Sequence, residues 1–237
     1  MLKSLMTQSN IKGPIFIGLF LFCFIPLCFS SQAQVNQTQT TLSNFTQFLT
    51  DPIYGPKDTR FVFIEYADYQ CPYCKQLHQT LTKWFSKKYQ QQLNTPFKVN
   101  WVFRHLPILG EKSILKAQTA ICVMDELGND AFWQFNNLLF TQPIKSTKQL
   151  SYQQSLWLMA SKQDWDIKKL MQCDFEQNYH TKLKSLARQS ALLNIGATPS
   201  WFFLDLETGK VIVGSGNLNL DQLDQLFLKQ TKNSIKE

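Results

Sequence analysis

The chain has 237 residues, of which 44% are hydrophobic and 17% are charged, and its formal net charge is +7. This composition is that of a globular protein, and the length predicts one domain with room for an inserted subdomain. The basic residues are scattered along the chain, which favours a solvated surface and argues against a nucleic-acid-binding face.

Residues 1–33 have the pattern of a signal peptide. Two lysines precede an uncharged apolar run at 14–29, and Ser31 and Ala33 place small residues where a signal peptidase cleaves. We therefore expect export and cleavage after Ala33. The alternative is that the run stays as an N-terminal membrane anchor, although Pro26 interrupts it and a membrane-spanning helix needs about 20 apolar residues.

The cysteine content agrees with export. The sequence contains six cysteines, and removal of the leader would take away Cys23 and Cys28. An even number remains, as expected for a protein of an oxidising compartment, where disulfides persist. The remaining cysteines are Cys71, Cys74, Cys122 and Cys173.

The segment 34–60 is polar at first and then carries apolar residues at helical spacing, so a short helix that ends at Asp51 is predicted. A run rich in aromatic and β-branched residues at 61–66 predicts a strand. Glu65 lies on this strand, and burial on both faces of a sheet would raise the pKa of its carboxyl. The alternative is a glutamate at the strand edge that faces water.

The sequence Cys-Pro-Tyr-Cys at 71–74 stands between this strand and a predicted helix. Cys71 is the expected nucleophile, because unpaired N–H groups and the helix dipole face a sulfur at a helix start. Pro72 suits the first helical turn, which needs no N–H from it. Cys74 is the expected resolving cysteine. A structural zinc site would need a second cysteine pair, and haem attachment would need a histidine in place of Lys75.

The rest of the chain predicts strands on both sides of a long helical stretch. From 111 to 193 only helical periodicity is found. The strands are predicted at 97–103, 201–205 and 210–214, and a helix from 220 to about 228 follows them. Sheet-forming segments that flank an all-helical stretch predict an α/β fold with a helical insertion.

Around the dithiol the chain resembles the DsbA-like thiol-disulfide oxidoreductases of the thioredoxin superfamily, whose site reads Asp-aromatic-X-Cys-Pro-Tyr-Cys. The sequence Arg-His-Leu-Pro after the second predicted strand, the helical stretch and Thr198-Pro199 are further similarities. The resemblance implies a thioredoxin-like fold formed by 61–110 and 194–237, with an inserted helical domain at 111–193.

The resemblance also implies roles for single residues. Glu65 is similar to the acidic residue that exchanges a proton with the inner cysteine. Thr198-Pro199 resembles the cis-proline loop, where the backbone of Thr198 would pair with an extended substrate. Pro72 and Tyr73 form the dipeptide that tunes the stability of the reduced form.

Two features of the loop leave room for other interpretations. Pro199 could be an ordinary trans proline at the start of a strand. Ala197 stands where the family often has glycine, which affects at most the detailed shape of the loop.

Two histidines and two further cysteines have open assignments. His78 and His105 could pair with Cys71 or bind copper, as in a copper-handling thioredoxin-like protein, but such residues are more often satisfied polar groups. Cys122 and Cys173 predict a structural disulfide that closes a loop of about 50 residues and stabilises the protein by roughly 4 kcal/mol. Two free thiols or a second redox pair are the alternatives.

The sequence therefore predicts an exported oxidoreductase that donates disulfides to reduced or unfolded proteins, periplasmic or secreted, and needs no cofactor. A membrane-bound, DsbB-like partner would reoxidise it. Disulfide isomerase or reductase activity is the alternative, because Cys-Pro-Tyr-Cys and a threonine before cis-proline also occur in the isomerase-like group. That group resembles dimers with a separate N-terminal domain, for which 34–60 is too short, so a monomer is expected.

Overall fold

A mixed sheet lies at the centre of the fold. The computed structural model describes residues 51–92, 98–141, 161–170 and 178–233. Within them the strands are β1 (Ile53–Tyr54), β2 (Phe61–Ala67), β3 (Val99–His105), β4 (Ser200–Asp205) and β5 (Val211–Ser215). The strand order is β1-β3-β2-β4-β5, with β2 and β3 parallel and the other neighbours antiparallel.

Helices connect the strands and cover the sheet. In the described ranges they are α1 (Pro72–Gln92), α2 (Glu111–Leu127), α3 (Asn129–Thr141), α4 (Ile167–Leu170), α5 (Asn178–Leu192) and α6 (Leu220–Asn233). The four helices α2 to α5 all stand between β3 and β4 in the chain. The predicted α/β architecture, with helices inserted between two groups of strands, is therefore confirmed.

The central strand β2 is buried on both faces. Its sequence, FVFIEYA, is nearly all aromatic or aliphatic, and all of its residues are buried. Phe61 and Phe63 pack in the larger core, whereas Val62 and Ile64 belong to a smaller cluster of the sheet. Since successive side chains of a strand point to opposite faces, Glu65 points into the larger core.

The larger core joins the sheet to the inserted helices. Phe103 from β3, Leu77 from α1, Cys122 from α2 and Phe132 from α3 all belong to one cluster of buried side chains. The dithiol helix α1 is thus packed between the sheet and the insertion, which holds its first turn in a fixed position relative to both.

The strand predicted at 97–103 is observed at Val99–His105. The charged Arg104 suggested the strand end, but its side chain is 1% exposed. Its Nε donates to Asp51 Oδ2 at 2.8 Å, and its Nη1 donates to the Tyr66 hydroxyl at 2.7 Å. Because the buried guanidinium finds these partners, the strand continues through it.

Two further features of the structure differ from the predictions. Strand β1 was not predicted, because two residues are too few to show a periodicity. The closing helix was predicted to end near 228 but continues to Asn233. Its polar end is held because Gln230 is buried and donates its side-chain N–H to the Phe203 carbonyl at 2.8 Å.

Several predictions fall on residues that the structure does not describe. These are the leader at 1–33, the helix before Asp51, the helical pattern at 152–160 and Cys173. The proposed domain boundaries also stay predictions. Among the described residues, no helix is both long enough and apolar enough to span a membrane.

Candidate functional site

Cys71 caps the N-terminus of α1. Its backbone N–H donates to the Asp68 carbonyl at 3.0 Å, and its carbonyl accepts the N–H of Lys75 at 3.1 Å. The N–H of Cys74 donates to Cys71 Sγ at 3.5 Å. The sulfur therefore occupies the place of an N-cap oxygen and satisfies one of the free N–H groups of the first turn.

The two cysteines of the motif differ in burial. Cys71 is 6% exposed and Cys74 is 0% exposed, whereas Tyr73 between them is 59% exposed. Both cysteines are free thiols. Burial and the nearby negative charge of Glu65 raise the pKa of the Cys74 thiol. Cys71 is thus the thiol that a partner can reach, and Cys74 is the one that holds its proton.

The loop before β4 lies against the dithiol. The Thr198–Pro199 peptide bond is cis, as predicted. The Cys71 thiol donates to the Thr198 carbonyl with an Sγ to oxygen distance of 3.4 Å. Ser200 donates its hydroxyl to the Ala197 carbonyl at 2.7 Å, which closes the loop around the buried Pro199. Two segments that are distant in sequence therefore meet at Cys71.

Glu65 is a buried carboxyl beside the dithiol. It is 0% exposed, and its Oε2 accepts the indole N–H of Trp101 at 3.1 Å. Among the described residues, Oε1 has no hydrogen-bond partner. Burial and the negative charge of a Cys71 thiolate raise the pKa of Glu65 to about 8, although the bond from Trp101 opposes the shift. The predicted burial is confirmed, and a water-facing position is excluded.

Asp68 ties the turn before the dithiol to the segment after β3. The residue is 1% exposed. Its Oδ1 accepts the Gln70 N–H and the Ser113 hydroxyl, both at 2.7 Å. Its Oδ2 accepts the N–H groups of Ile108 and Leu109, both at 2.9 Å. One buried carboxylate thus fixes the entry to α1, the β3–α2 connection and the first turn of α2.

No role was predicted for Asp68 or Trp101. Asp68 did carry a signal, because an aspartate just after a strand often accepts backbone N–H groups in a turn. Trp101 carried none. Its contact with Glu65 depends on the parallel register of β2 and β3, in which Trp101 stands opposite Phe63.

The two histidines are buried among aromatic rings. His78 Nε2 lies 3.4 Å from Asn137 Oδ1, and its ring stacks on Phe140 with centroids 4.6 Å apart. His105 is 3% exposed, and neither ring nitrogen has a partner among the described residues. Burial lowers the pKa of His78 to about 4 and that of His105 to about 3, so both rings are neutral at pH 7.

The described part of the chain contains no group of three or more His, Cys, Asp or Glu residues placed to hold a metal ion. Cys122 is 0% exposed within α2 and is disulfide-bonded. Since Cys173 lies outside the described residues, the pairing of Cys122 with Cys173 stays a prediction.

Comparison with protein families finds one match that covers most of the chain. The family model described as Thioredoxin matches residues 47–213. Among curated proteins, the Na(+)/H(+) antiporter NhaA 1 of Salinispora arenicola is 24% identical over 156 residues. That match covers 64% of this chain but only 21% of the antiporter. The chain therefore spans about a fifth of the length of this relative.

Solved structures of DsbA proteins share the fold. Pseudomonas aeruginosa DsbA2 superposes with a TM-score of 0.60 at 24% identity, and the match covers 77% of this chain and 94% of that one. Wolbachia pipientis alpha-DsbA1 gives a TM-score of 0.64 at 21% identity, with 81% and 98% covered. At these identities the likeness is one of fold, and it confirms the predicted thioredoxin-like architecture of DsbA type.

Proposed function

Because this chain belongs to the thioredoxin family and has the fold of DsbA-like proteins, we propose that it is a thiol-disulfide oxidoreductase that donates its Cys71–Cys74 disulfide to exported proteins. The arrangement around Cys71 is the observation that carries the proposal. Its sulfur is slightly exposed, receives the Cys74 N–H and lies 3.4 Å from the Thr198 carbonyl. Behind this accessible thiol are a protected thiol, Cys74, and a proton-holding carboxyl, Glu65.

Disulfide donation proceeds in two exchanges. A substrate thiolate attacks Cys71 Sγ, a substrate–Cys71 disulfide forms, and the Cys71–Cys74 bond breaks with Cys74 leaving as a thiolate. A second substrate thiolate then attacks the substrate sulfur of this mixed disulfide, and Cys71 leaves. The substrate loses two electrons as its disulfide forms, and the Cys71–Cys74 pair gains them.

Glu65 supplies the proton that the buried leaving group needs. Cys74 departs as an anion at a fully buried position, where an unpaired charge is costly. A carboxyl with a pKa of about 8 is protonated at pH 7 and can give its proton to this thiolate. In the reverse direction the ionised carboxyl accepts the proton of Cys74 before Cys74 attacks.

The substrate chain lies along the loop before β4. Thr198 is half-buried beside Cys71, and its backbone leads into the antiparallel strand β4. An extended polypeptide that pairs with this backbone would bring a cysteine to Cys71, as in strand addition. The exposed Tyr73, two residues after Cys71, offers a further apolar contact.

The partners follow from the chemistry. Donors of disulfides act where protein disulfides persist, so the substrates are reduced proteins of the periplasm. The apolar run at 14–29 provides the export signal. Each donation leaves the dithiol form, so a partner that accepts electrons must restore the disulfide. The likeness to DsbA-like proteins implies that this partner is membrane-bound.

The trapping experiment uses a substrate polypeptide with a single cysteine. The Cys74→Ser variant is first converted to its glutathione mixed disulfide and should then exchange glutathione for the substrate. It should stay linked to the substrate through Cys71, because no inner thiol can release it, and a non-reducing gel shows the adduct. Cys71→Ser should give no adduct, and with a substrate that has two cysteines it should give no disulfide transfer; transfer by that variant would contradict the proposed chemistry.

A further inference from the structure

The buried carboxyl of Glu65 has one fixed oxygen and one free oxygen. Oε2 accepts the Trp101 indole N–H at 3.1 Å, whereas Oε1 has no hydrogen-bond partner within the described ranges. The neighbouring residues in register are Phe103 on β3 and Trp201 on β4, which is a largely aromatic environment. The indole of Trp101 is therefore the donor that decides how this carboxyl is oriented.

Trp101 is itself held rigidly. It is 1% exposed. Its ring stacks on Phe85 with centroids 5.7 Å apart and contacts Trp133 at 4.6 Å and His78 at 5.3 Å. Because α1 supplies Phe85 and His78, and α3 supplies Trp133, the indole is clamped between the dithiol helix and the insertion. Its N–H direction is thus fixed by the core.

We propose that Trp101 is a positioning residue of the redox site, whose indole N–H holds Glu65 Oε2 and leaves Oε1 to exchange a proton with Cys74. This inference rests on the proposed function for its catalytic consequence. The geometry alone carries the first half, since Oε2 accepts the indole N–H and Oε1 has no hydrogen-bond partner among the described residues.

The hydrogen bond from Trp101 also shifts the pKa of Glu65 in a defined direction. A hydrogen bond to the ionised carboxylate stabilises the charged form, so the Trp101 N–H lowers the pKa of Glu65 against the larger effect of burial. Replacing the indole by a phenyl ring should remove the donor and keep most of the packing. Glu65 should then lose its proton about one pH unit higher.

Trp133 provides a matched control. Its indole packs against Trp101, but its own Nε1 has no hydrogen-bond partner among the described residues. Trp133→Phe therefore makes the same chemical change in the same aromatic cluster without removing a bond to Glu65. A general disturbance of the core would affect both variants, whereas the positioning role affects only Trp101→Phe.

The test is a carbon-13 NMR titration of the glutamate carboxyl groups, with the Glu65 signal identified by its loss in Glu65→Gln. Trp101→Phe should raise the titration midpoint of Glu65 by about one pH unit, and Trp133→Phe should leave it within about 0.2 unit of the wild type. The pH profile of oxidation by glutathione disulfide should move in parallel. An unchanged midpoint in Trp101→Phe overturns the inference.

A second measurement needs no variant of Trp101 that folds. In the wild type, the indole N–H resonance of Trp101 should shift with the same midpoint as the Glu65 carboxyl, and a resonance that does not respond to pH would also overturn the inference. Neither titration depends on catalysis. If the wild type fails to oxidise substrates while Glu65 still responds to Trp101, the proposed function fails and the positioning role stands.

Discussion

Single residues of the Cys-Pro-Tyr-Cys motif acquire different chemistry from where they stand on α1. Cys71 precedes the first helical turn, so its sulfur meets a free N–H group, whereas Cys74 lies one turn later and points into the core. Pro72 occupies the first position, where a missing N–H costs nothing. The same residue type is thus a slightly exposed thiol at one position and a fully buried thiol at the other.

Glu65 should make the stability of the protein depend on pH. Its pKa is raised from an ordinary value of 4.5 to about 8, so between these limits the unfolded chain loses a proton that the folded protein keeps. The stabilisation is complete below about pH 4.5 and is lost as the pH rises through about 8. Glu65→Gln, which cannot ionise, should therefore be more stable than the wild type at pH 9 by several kcal/mol.

Urea denaturation at pH 5, 7 and 9 measures this difference. The comparison is best made with Cys71 and Cys74 both replaced by serine, so that no redox change accompanies the titration. His78 and His105 destabilise the folded state in acid, but they are present in both proteins and cancel. A difference between Glu65→Gln and its parent that stays constant with pH would show that the carboxyl titrates normally.

The short pattern at 71–74 predicted that Cys71 and Cys74 stand at a helix start, and the apolar run at 61–66 predicted the burial of Glu65. The cis bond at Thr198–Pro199 was implied by the resemblance to DsbA-like proteins. The sequence did not predict the Trp101–Glu65 bond. A period-2 pattern shows which residues point inward, but it does not show which residue of the next strand stands opposite.

At the level of secondary-structure elements, Asp68 connects three of them. Its carboxylate receives hydrogen bonds from Gln70 in the turn before α1, from Ile108 and Leu109 after β3, and from Ser113 in α2. Removing this acceptor leaves three part-buried N–H groups and the buried Ser113 hydroxyl without their partner, and a buried donor left unpaired costs about 1–3 kcal/mol. The position of Cys71 therefore depends on a carboxylate outside the Cys-X-X-Cys sequence.

Asp68→Ala should lower the free energy of unfolding by about 3 kcal/mol and slow thiol exchange, because the turn that places Cys71 loses its anchor. Chemical denaturation and the rate of oxidation by glutathione disulfide measure the two effects. Asp125→Ala is the control, since its exposed pair with Lys182 should contribute less than about 1 kcal/mol. Equal effects of the two substitutions would argue against the anchoring role.

The boundary of β3 shows why element ends were harder to predict than element types. The alternating pattern predicts a strand at 97–103, which stops before the polar pair Arg104-His105, whereas the observed strand includes both residues. Arg104 stays in the sheet because the Asp51 carboxylate compensates its charge and the Tyr66 hydroxyl accepts a hydrogen bond from it. Asp51 is distant in sequence, so no local pattern could show this compensation.

At the scale of the whole molecule, the insertion and the sheet share one core, and Cys122 lies fully buried within it. A bridge from Cys122 to Cys173 would restrict the unfolded chain over a loop of about 50 residues. The prediction is that Cys122→Ser and Cys173→Ser each lower the Tm, and that the double variant is no less stable than the single ones.

Calorimetry of the three variants measures this, with disulfide transfer as the second readout. Transfer should persist in all variants that fold, since neither cysteine belongs to the dithiol. Additive losses in Tm would mean that the two cysteines do not pair. Lost transfer in a folded variant would point to a second redox pair.

The reduction potential of the Cys71–Cys74 pair tests the proposed function most directly. The pair is equilibrated with glutathione buffers in the protein that starts at Gln34, and the fraction of dithiol is measured by alkylation. Known proteins of this superfamily range from about −120 mV for DsbA to about −270 mV for thioredoxin. A donor of disulfides should have a potential of about −120 mV, as we expect here, whereas a potential of about −270 mV would make this protein a reductant and contradict the proposed function.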